Sequence, residues 1–230
     1  MANQATANKM TDVALVLTGG GARAAYQVGF LRWIARNIPH ANFPIITGAS
    51  AGALNATYLA AFPGTQAEAI ERLVGLWQSL SVDQVFRVDT PSLLSHVARW
   101  GLRLVSGGIA IAPEVRGLVD TRTLHKTLAS GFETSKGSIG QRIANRLETG
   151  DLTAIAIVTS NYTTGQSVIW IQGRDLRNWE RPTRRSQTTE ISLDHVMAST
   201  ALPLFFPAVQ LNGAWYGDGG IRLTAPCSPA

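Results

Sequence analysis

The sequence has little cysteine and no long apolar run, and each shortage excludes a class of protein. Its one cysteine, Cys227, has no partner in the chain for a disulfide, which fits a reducing compartment. The most apolar stretch, residues 53–62, is interrupted by Asn55 and Thr57 and is too short to span a bilayer. The N-terminal segment lacks the basic start and apolar run of a secretory signal. We therefore expect a cytoplasmic protein that can contact a membrane only peripherally.

Lysine is also scarce, so the positive charge comes mainly from arginine. The formal net charge is +5 and the isoelectric point is near 9.9. Such a surface favours anionic partners, either phospholipid headgroups or nucleic acid. One alternative is therefore a basic module that binds nucleic acid through an arginine-rich segment. The arginines of that segment are Arg174, Arg177, Arg181, Arg184 and Arg185.

The length and composition suit one globular unit. With 230 residues, 45% of them hydrophobic and 15% charged, the chain can bury one sizeable core. We expect a polar tail over residues 1–11 and a single domain over residues 12–230.

Alternating short strands and helices predict an α/β fold with a mainly parallel central sheet flanked by helices. Residues 13–18 and 43–47 are strand-like, and each is followed by a glycine-rich turn and a helical pattern, over 24–37 and 53–62. In a parallel sheet with right-handed crossovers, both turns lie at the carboxyl ends of neighbouring strands. The sequence therefore predicts two glycine loops that converge on one crevice.

The remaining segments predict further elements around this crevice. Strands are expected over 151–160 and 166–173, and a hairpin is expected at Asn212-Gly213. Residues 173–190 have the composition of a solvated loop. Residues 92–105 predict an amphipathic helix that packs on the core or contacts lipid. Further helices are predicted over 66–80, 121–130, 139–148 and 191–200.

Ser50 is the first candidate for chemistry. It follows a strand and precedes a helix, and its neighbours Gly48, Ala49, Ala51 and Gly52 are all small. This is the pattern of a nucleophile elbow, in which a tight backbone exposes the hydroxyl in a cleft. The alternative is a serine that only caps the following helix.

The run Gly19, Gly20, Gly21 can present successive backbone N–H groups to one developing oxyanion. The same letters fit a dinucleotide-binding loop. That alternative requires an acidic residue about 20 positions further on, but no Asp or Glu occurs between Asp12 and Glu68. The dinucleotide interpretation is therefore the weaker one.

A nucleophilic serine needs a base, and the chain offers histidines and one well-placed aspartate. We interpret the four histidines as structural or surface residues; they are His40, His96, His125 and His195. Asp218 follows a strand, and Gly217, Gly219 and Gly220 leave room around it for another loop. The alternative interpretation is that Asp218 is only a turn residue, which the Asp-Gly pair favours.

Taken together, GGGAR, GASAG and DGG in this order resemble the patatin-like phospholipase family. The segments GLVDTRTLHKTL and MASTALPLFFPAV also resemble that family. The resemblance covers most of the chain. The family usually has glycine where this sequence has Ala24, and it usually continues beyond DGG, so we expect a further segment beyond Ala230.

The resemblance implies a lipid acyl hydrolase with Ser50 as nucleophile and Asp218 as its base. It implies an oxyanion site at Gly19, Gly20, Gly21 and Arg23, an elbow bounded by Gly48 and Gly52, and no metal or cofactor. The expected partner is a phospholipid or another lipid ester, with peripheral membrane contact and no nucleic acid. A general carboxylesterase for soluble esters remains an alternative.

Overall fold

The structure is a computed structural model that describes residues 13–38, 41–81, 122–132, 136–223 and 225–227. The predicted polar tail, the segment 92–105, His40 and His96 lie outside these residues.

Eight strands form one sheet among the described residues. They are β1 (Ala14–Leu17), β2 (Ile45–Ala49), β3 (Ala154–Asn161), β4 (Ser167–Gly173), β5 (Glu180–Arg181), β6 (Arg184–Thr188), β7 (Val209–Leu211) and β8 (Ala214–Asp218).

Six α-helices accompany the sheet in the described ranges. They are α1 (Ala24–Asn37), α2 (Ala51–Ala61), α3 (Gln66–Ser79), α4 (Arg122–Phe132), α5 (Ile139–Thr149) and α6 (Leu193–Thr200). Their bounds agree with the predicted helices to within a few residues.

The sheet has the strand order β1-β2-β3-β4-β6-β5, and β8 pairs with both β3 and β7. Strands β1, β2 and β3 are parallel neighbours, and β6 is parallel to β4. The short connections give antiparallel pairs, as in β3 with β4 and β7 with β8. The predicted α/β fold with a central sheet flanked by helices is confirmed.

The prediction of a solvated loop over residues 173–190 was wrong, because β5 and β6 lie in this segment. Strand β6 pairs with β4 from Arg184 opposite Ser167 to Thr188 opposite Ile171. Its side chains are mostly polar and only partly buried, so it lacks the apolar alternation that marks a strand in a sequence. Backbone pairing with β4 forms this strand although its sequence lacks apolar alternation.

Helix α2 is the central helix of the core. Ten of its eleven residues are buried, and it contacts β2, α1, α3, α5 and α6. The amide of Asn55 donates to the carbonyl of Ala24, and its oxygen accepts from the Trp77 indole at 2.8 Å. These bonds tie α1, α2 and α3 together and hold the start of α2 beside the loop that follows β1.

None of the described helices is long and apolar enough to cross a membrane.

Candidate active site

Strand register brings Ser50 and Asp218 together although they are far apart in sequence. Strand β3 pairs with β2 over Ala154–Val158 and with β8 over Thr159–Asn161. Ala49, the last residue of β2, is opposite Val158, and Asp218 is opposite Thr159. The two candidate residues therefore meet where β8 replaces β2 as the neighbour of β3.

The hydroxyl of Ser50 donates to the carboxylate of Asp218, with 2.6 Å between Oγ and Oδ2. Ser50 has φ 55° and ψ −132°, and its side chain does not cap α2. The capping alternative is therefore wrong. A serine in a strained turn between a strand and a helix, with its hydroxyl bonded to a carboxylate, has the geometry of a nucleophile elbow.

The strained backbone of Ser50 is held by Ser199 of α6. The Ser199 hydroxyl accepts from the Ser50 N–H at 3.0 Å and donates to the Val158 carbonyl at 2.6 Å. Ser199 is fully buried, so this bridge is shielded from water. Sequence analysis missed it, because one serine among small residues on a helix carries no local signal for a contact 149 residues away.

Asp218 is buried, with 3% of its surface exposed, and each part of it has a partner. Its Oδ1 accepts from the Gly220 N–H at 2.6 Å, and its own N–H donates to the Ala201 carbonyl. Burial raises the pKa of Asp218, while the bonds from Ser50 and Gly220 act in the opposite direction. The residue thus closes its own turn, as the turn alternative requires, and still presents Oδ2 to Ser50.

Glycines allow the loops of the site to approach one another. A Cβ atom on Gly52 would collide with the carbonyl group of Leu17, and one on Gly219 would collide with that of Val158. A Cβ atom on Gly48 would lie 2.6 Å from the Gly52 oxygen. The elbow and the Asp218 loop therefore rest directly on the backbone of neighbouring strands, where no side chain fits.

The loop after β1 lies beside Ser50. A Cβ atom on Gly19 would be 3.1 Å from the Ser50 Cβ. Gly21 has φ 55° and begins a 3-10 turn that ends at exposed Arg23. Ala24 has φ −64° and is buried, so its methyl group is accommodated at the start of α1.

Tyr162 is a further residue at the site that sequence analysis did not single out. Its hydroxyl lies against Gly217, at the place a side chain would need. Burial first, and then the charge of Asp218, raise the pKa of Tyr162. The hydroxyl therefore stays protonated beside the carboxylate.

The described histidines have other partners. The Nδ1 atom of His195 accepts from the Ser192 N–H at 3.1 Å, and its ring packs edge-on against Trp170. Burial lowers the pKa of His195. His125 is exposed on α4, with its Nε2 4.0 Å from Asp194.

The described residues contain no group of three or more potential metal-ligating side chains. A cavity of about 550 Å³ lies at the end of α1 and the start of α3. Its wall includes Phe43 and Asp151, which precede β2 and β3, so it lies at the amino edge of the sheet, opposite the Ser50 turn.

The fold and the site define an α/β protein with a serine elbow and an adjacent buried carboxylate. The chain belongs to the patatin-like phospholipase family, whose sequence profile matches residues 15–230. That match confirms the family resemblance predicted from GGGAR, GASAG and DGG.

A solved structure supports the fold. The chain is similar to VipD from Legionella pneumophila, with a TM-score of 0.52 and 17% sequence identity. The similarity covers 90% of this chain and 46% of VipD, so the chain spans about half the length of that protein. No curated protein matches this chain in sequence.

Proposed function

We propose that this protein is a lipid acyl hydrolase that cleaves carboxylic esters of phospholipids or related lipids through Ser50 and Asp218. The observation that carries the proposal is the 2.6 Å hydrogen bond from the Ser50 hydroxyl to Asp218, in a chain of the patatin-like phospholipase family. An aspartate in this position can take the serine proton without a histidine.

The proposed reaction has two steps. Ser50 Oγ attacks the ester carbonyl while Asp218 Oδ2 accepts its proton, and Asp218 then returns that proton to the leaving alkoxide. An acyl-enzyme ester on Ser50 remains. A water molecule, deprotonated by Asp218, attacks this ester, and the serine oxygen leaves with the proton from Asp218. The fatty acid is released, and neither step needs a metal or a cofactor.

The developing oxyanion would be stabilised by backbone N–H groups. Amides at the start of a helix have no acceptor within that helix, and two helix starts flank Ser50. Ala51 begins α2, and Gly21 begins the 3-10 turn beside it. We assign the oxyanion site to the loop from Gly19 through Gly20 and Gly21 to Arg23.

Fluorophosphonate labelling with peptide mapping tests whether Ser50 is activated. We expect one labelled peptide, and it contains Ser50. Ser50→Ala should abolish labelling, and Asp218→Asn should reduce it by orders of magnitude. The double variant should be little worse than either single variant, because residues that act as a unit are not additive. Labelling at another serine, or full labelling of Asp218→Asn, would overturn the assignment.

An ester series tests the substrate class. We expect turnover to rise from short soluble esters to long-chain phospholipid esters, whereas a general carboxylesterase would favour the short ones. We also expect no nucleic-acid binding. A salt-dependent mobility shift with the Arg174–Arg185 segment intact would contradict that expectation.

A further inference from the structure

Helix α1 carries exposed aromatic side chains on its outward face. Tyr26 is 81% exposed, Phe30 is 55% exposed and Trp33 is 56% exposed. Positions i, i+4 and i+7 of a helix share one face, so the three rings form one stripe about two turns long. We call these three residues the aromatic face of α1.

The outward surface between and beside the rings is also apolar over the first two turns of the helix, up to polar Arg36 and Asn37 at its end. Ala22, Ala25 and Gly29 are exposed between or beside the rings. On the inward side, Val28 and Leu31 are buried in the core. A surface helix of a globular protein normally carries polar residues on its outer face. Helix α1 is instead apolar on both sides, and arginines lie at its borders.

The charges around the aromatic face are positive. Helix α1 has no acidic residue in its sequence. Arg32 and Arg36 on α1 both bond to Glu71 of α3, and exposed Arg23 precedes the helix. Arg32 and Arg36 share the one carboxylate of Glu71, so these two residues together with Arg23 leave a net positive charge beside the aromatic face. A second copy of the chain on this face would bring like charges together, whereas an anionic lipid surface would complement them.

The aromatic face begins next to the candidate active site. Tyr26 is three residues beyond Arg23, in the helix that follows the Gly19–Arg23 loop. Gly19 lies between Ser50 and Gly220, since its Cβ position is 3.1 Å from the Ser50 Cβ and 3.7 Å from the Gly220 Cα. Ile221, the residue after Gly220, is also exposed. Exposed apolar side chains therefore follow both loops that meet at Ser50.

We propose that the aromatic face of α1 is a docking surface for an anionic phospholipid bilayer and brings the Gly19–Arg23 loop to the lipid interface. This inference rests on the proposed function as a lipid acyl hydrolase. Tyrosine and tryptophan are suited to the role, because their rings are amphipathic and partition into the headgroup region. An apolar helical face with basic borders binds in the plane of the interface.

Vesicle flotation tests the proposal without any turnover. The vesicles contain ether-linked phosphatidylcholine with about one third ether-linked phosphatidylglycerol, which has no carboxylic ester to cleave. We expect the parent protein to float with these vesicles, and less so as salt rises. The triple variant Tyr26→Gln, Phe30→Gln, Trp33→Gln should bind the vesicles at least about tenfold more weakly than the parent. Glutamine keeps helix propensity at these exposed positions.

The matched control is Leu176→Gln, which also removes an exposed apolar side chain. Leu176 lies against Gly173, whose partner Ala154 begins β3, so it lies at the other edge of the sheet. Vesicle binding by the Leu176→Gln variant should equal that of the parent. Phe30→Gln alone should show a smaller loss, which keeps the test decisive if the triple variant does not fold by circular dichroism.

Several outcomes would overturn the docking surface. They are a parent that does not bind the vesicles, a folded triple variant that binds as well as the parent, and a Leu176→Gln variant that loses binding equally. A parent dimer that becomes a monomer in the triple variant, with vesicle binding unchanged, would assign the face to a second copy instead.

The proposed function is judged by a separate measurement. Hydrolysis of a soluble ester by the triple variant should match that of the parent, because the three side chains take no part in the chemistry. Vesicle binding by a parent that hydrolyses no ester would refute the hydrolase proposal and leave the docking surface standing.

Discussion

At the scale of single residues, Asp218 is the position where function and stability conflict. Its carboxyl is buried, it accepts from Ser50 and Gly220 among the described residues, and burial raises its pKa. The folded state therefore holds the proton more tightly than the unfolded chain, whose aspartates titrate near about 3.9. The free energy of unfolding therefore falls as the pH rises from the unfolded pKa through the raised pKa of folded Asp218. This loss of stability is still present at neutral pH.

We therefore predict that Asp218→Asn raises the melting temperature at pH 7 by a few degrees, about 2–4 °C for each kcal/mol in a chain of this size. Asparagine can still accept from the Gly220 N–H, and it has no proton to lose. Thermal unfolding by circular dichroism at pH 4 and pH 7 measures the effect. The difference between variant and parent should be larger at pH 7. Asp151→Asn, at an exposed carboxylate, serves as the control.

The same substitution should remove most turnover, because the proposed base is lost. A melting temperature below that of the parent at pH 7 would mean that the ionised carboxylate contributes net stability.

The histidines provide the opposite test. Each histidine replaced singly by glutamine should retain ester hydrolysis within about tenfold of the parent, because none is assigned a proton transfer. Steady-state assays with circular dichroism as the check on folding measure this. Loss of activity in one folded histidine variant, with Asp218→Asn still active, would mean a triad-type hydrolase.

At the scale of elements, the site depends on how closely α2 packs on β1. The start of α2 touches the backbone where β1 ends, at a contact that leaves no room for a side chain on Gly52. The elbow is thus placed by backbone contact, and one added methyl group must displace a strand.

We predict that Gly52→Ala destabilises the protein by about 1–3 kcal/mol or more, the usual range for overpacking, and inactivates it. Gly75→Ala in α3 is the matched control. Apart from its chain neighbours and its own helix backbone, no atom of the described residues lies within 4 Å of its Cβ position, so alanine should stabilise the helix by up to about 1 kcal/mol. Urea unfolding measures both values. Equal effects of the two substitutions would show that the close contact at Gly52 is unimportant.

At the scale of the whole molecule, the candidate dyad joins distant parts of the chain. Ser50 and Asp218 are 168 positions apart, and both depend on the pairing of β3 with its two neighbours. A site of this kind exists only while the central sheet is intact.

We therefore predict one cooperative unfolding transition for residues 12–230. Loss of activity, far-UV circular dichroism and tryptophan fluorescence should coincide in urea, and calorimetric and van't Hoff enthalpies should agree. Two separated transitions would contradict the single domain expected from the sequence.

Sequence reasoning was most successful where the signal was local. Helix α1 was predicted with its observed bounds, since its apolar period and Pro39 lie within one short stretch. The glycines around Ser50 predicted a tight turn for a similarly local reason, and the ordered motifs predicted the family. The helix, the turn and each single motif depend on the residue types of near neighbours, which the sequence states directly.

The tertiary structure decided what depends on distant backbone pairing. Strand β6 forms from polar residues because β4 supplies its hydrogen bonds, and Ser199 supports the elbow because α6 packs beside β3. The sequence shows apolar residues on two sides of α1 and does not tell which side faces solvent. Only the packing of Val28 and Leu31 into the core leaves Tyr26, Phe30 and Trp33 in solvent. The sequence thus determined which side chains the site could use, and the register of β3 determined which of them meet, because strand pairing is set by contacts between parts of the chain that carry no local record of each other.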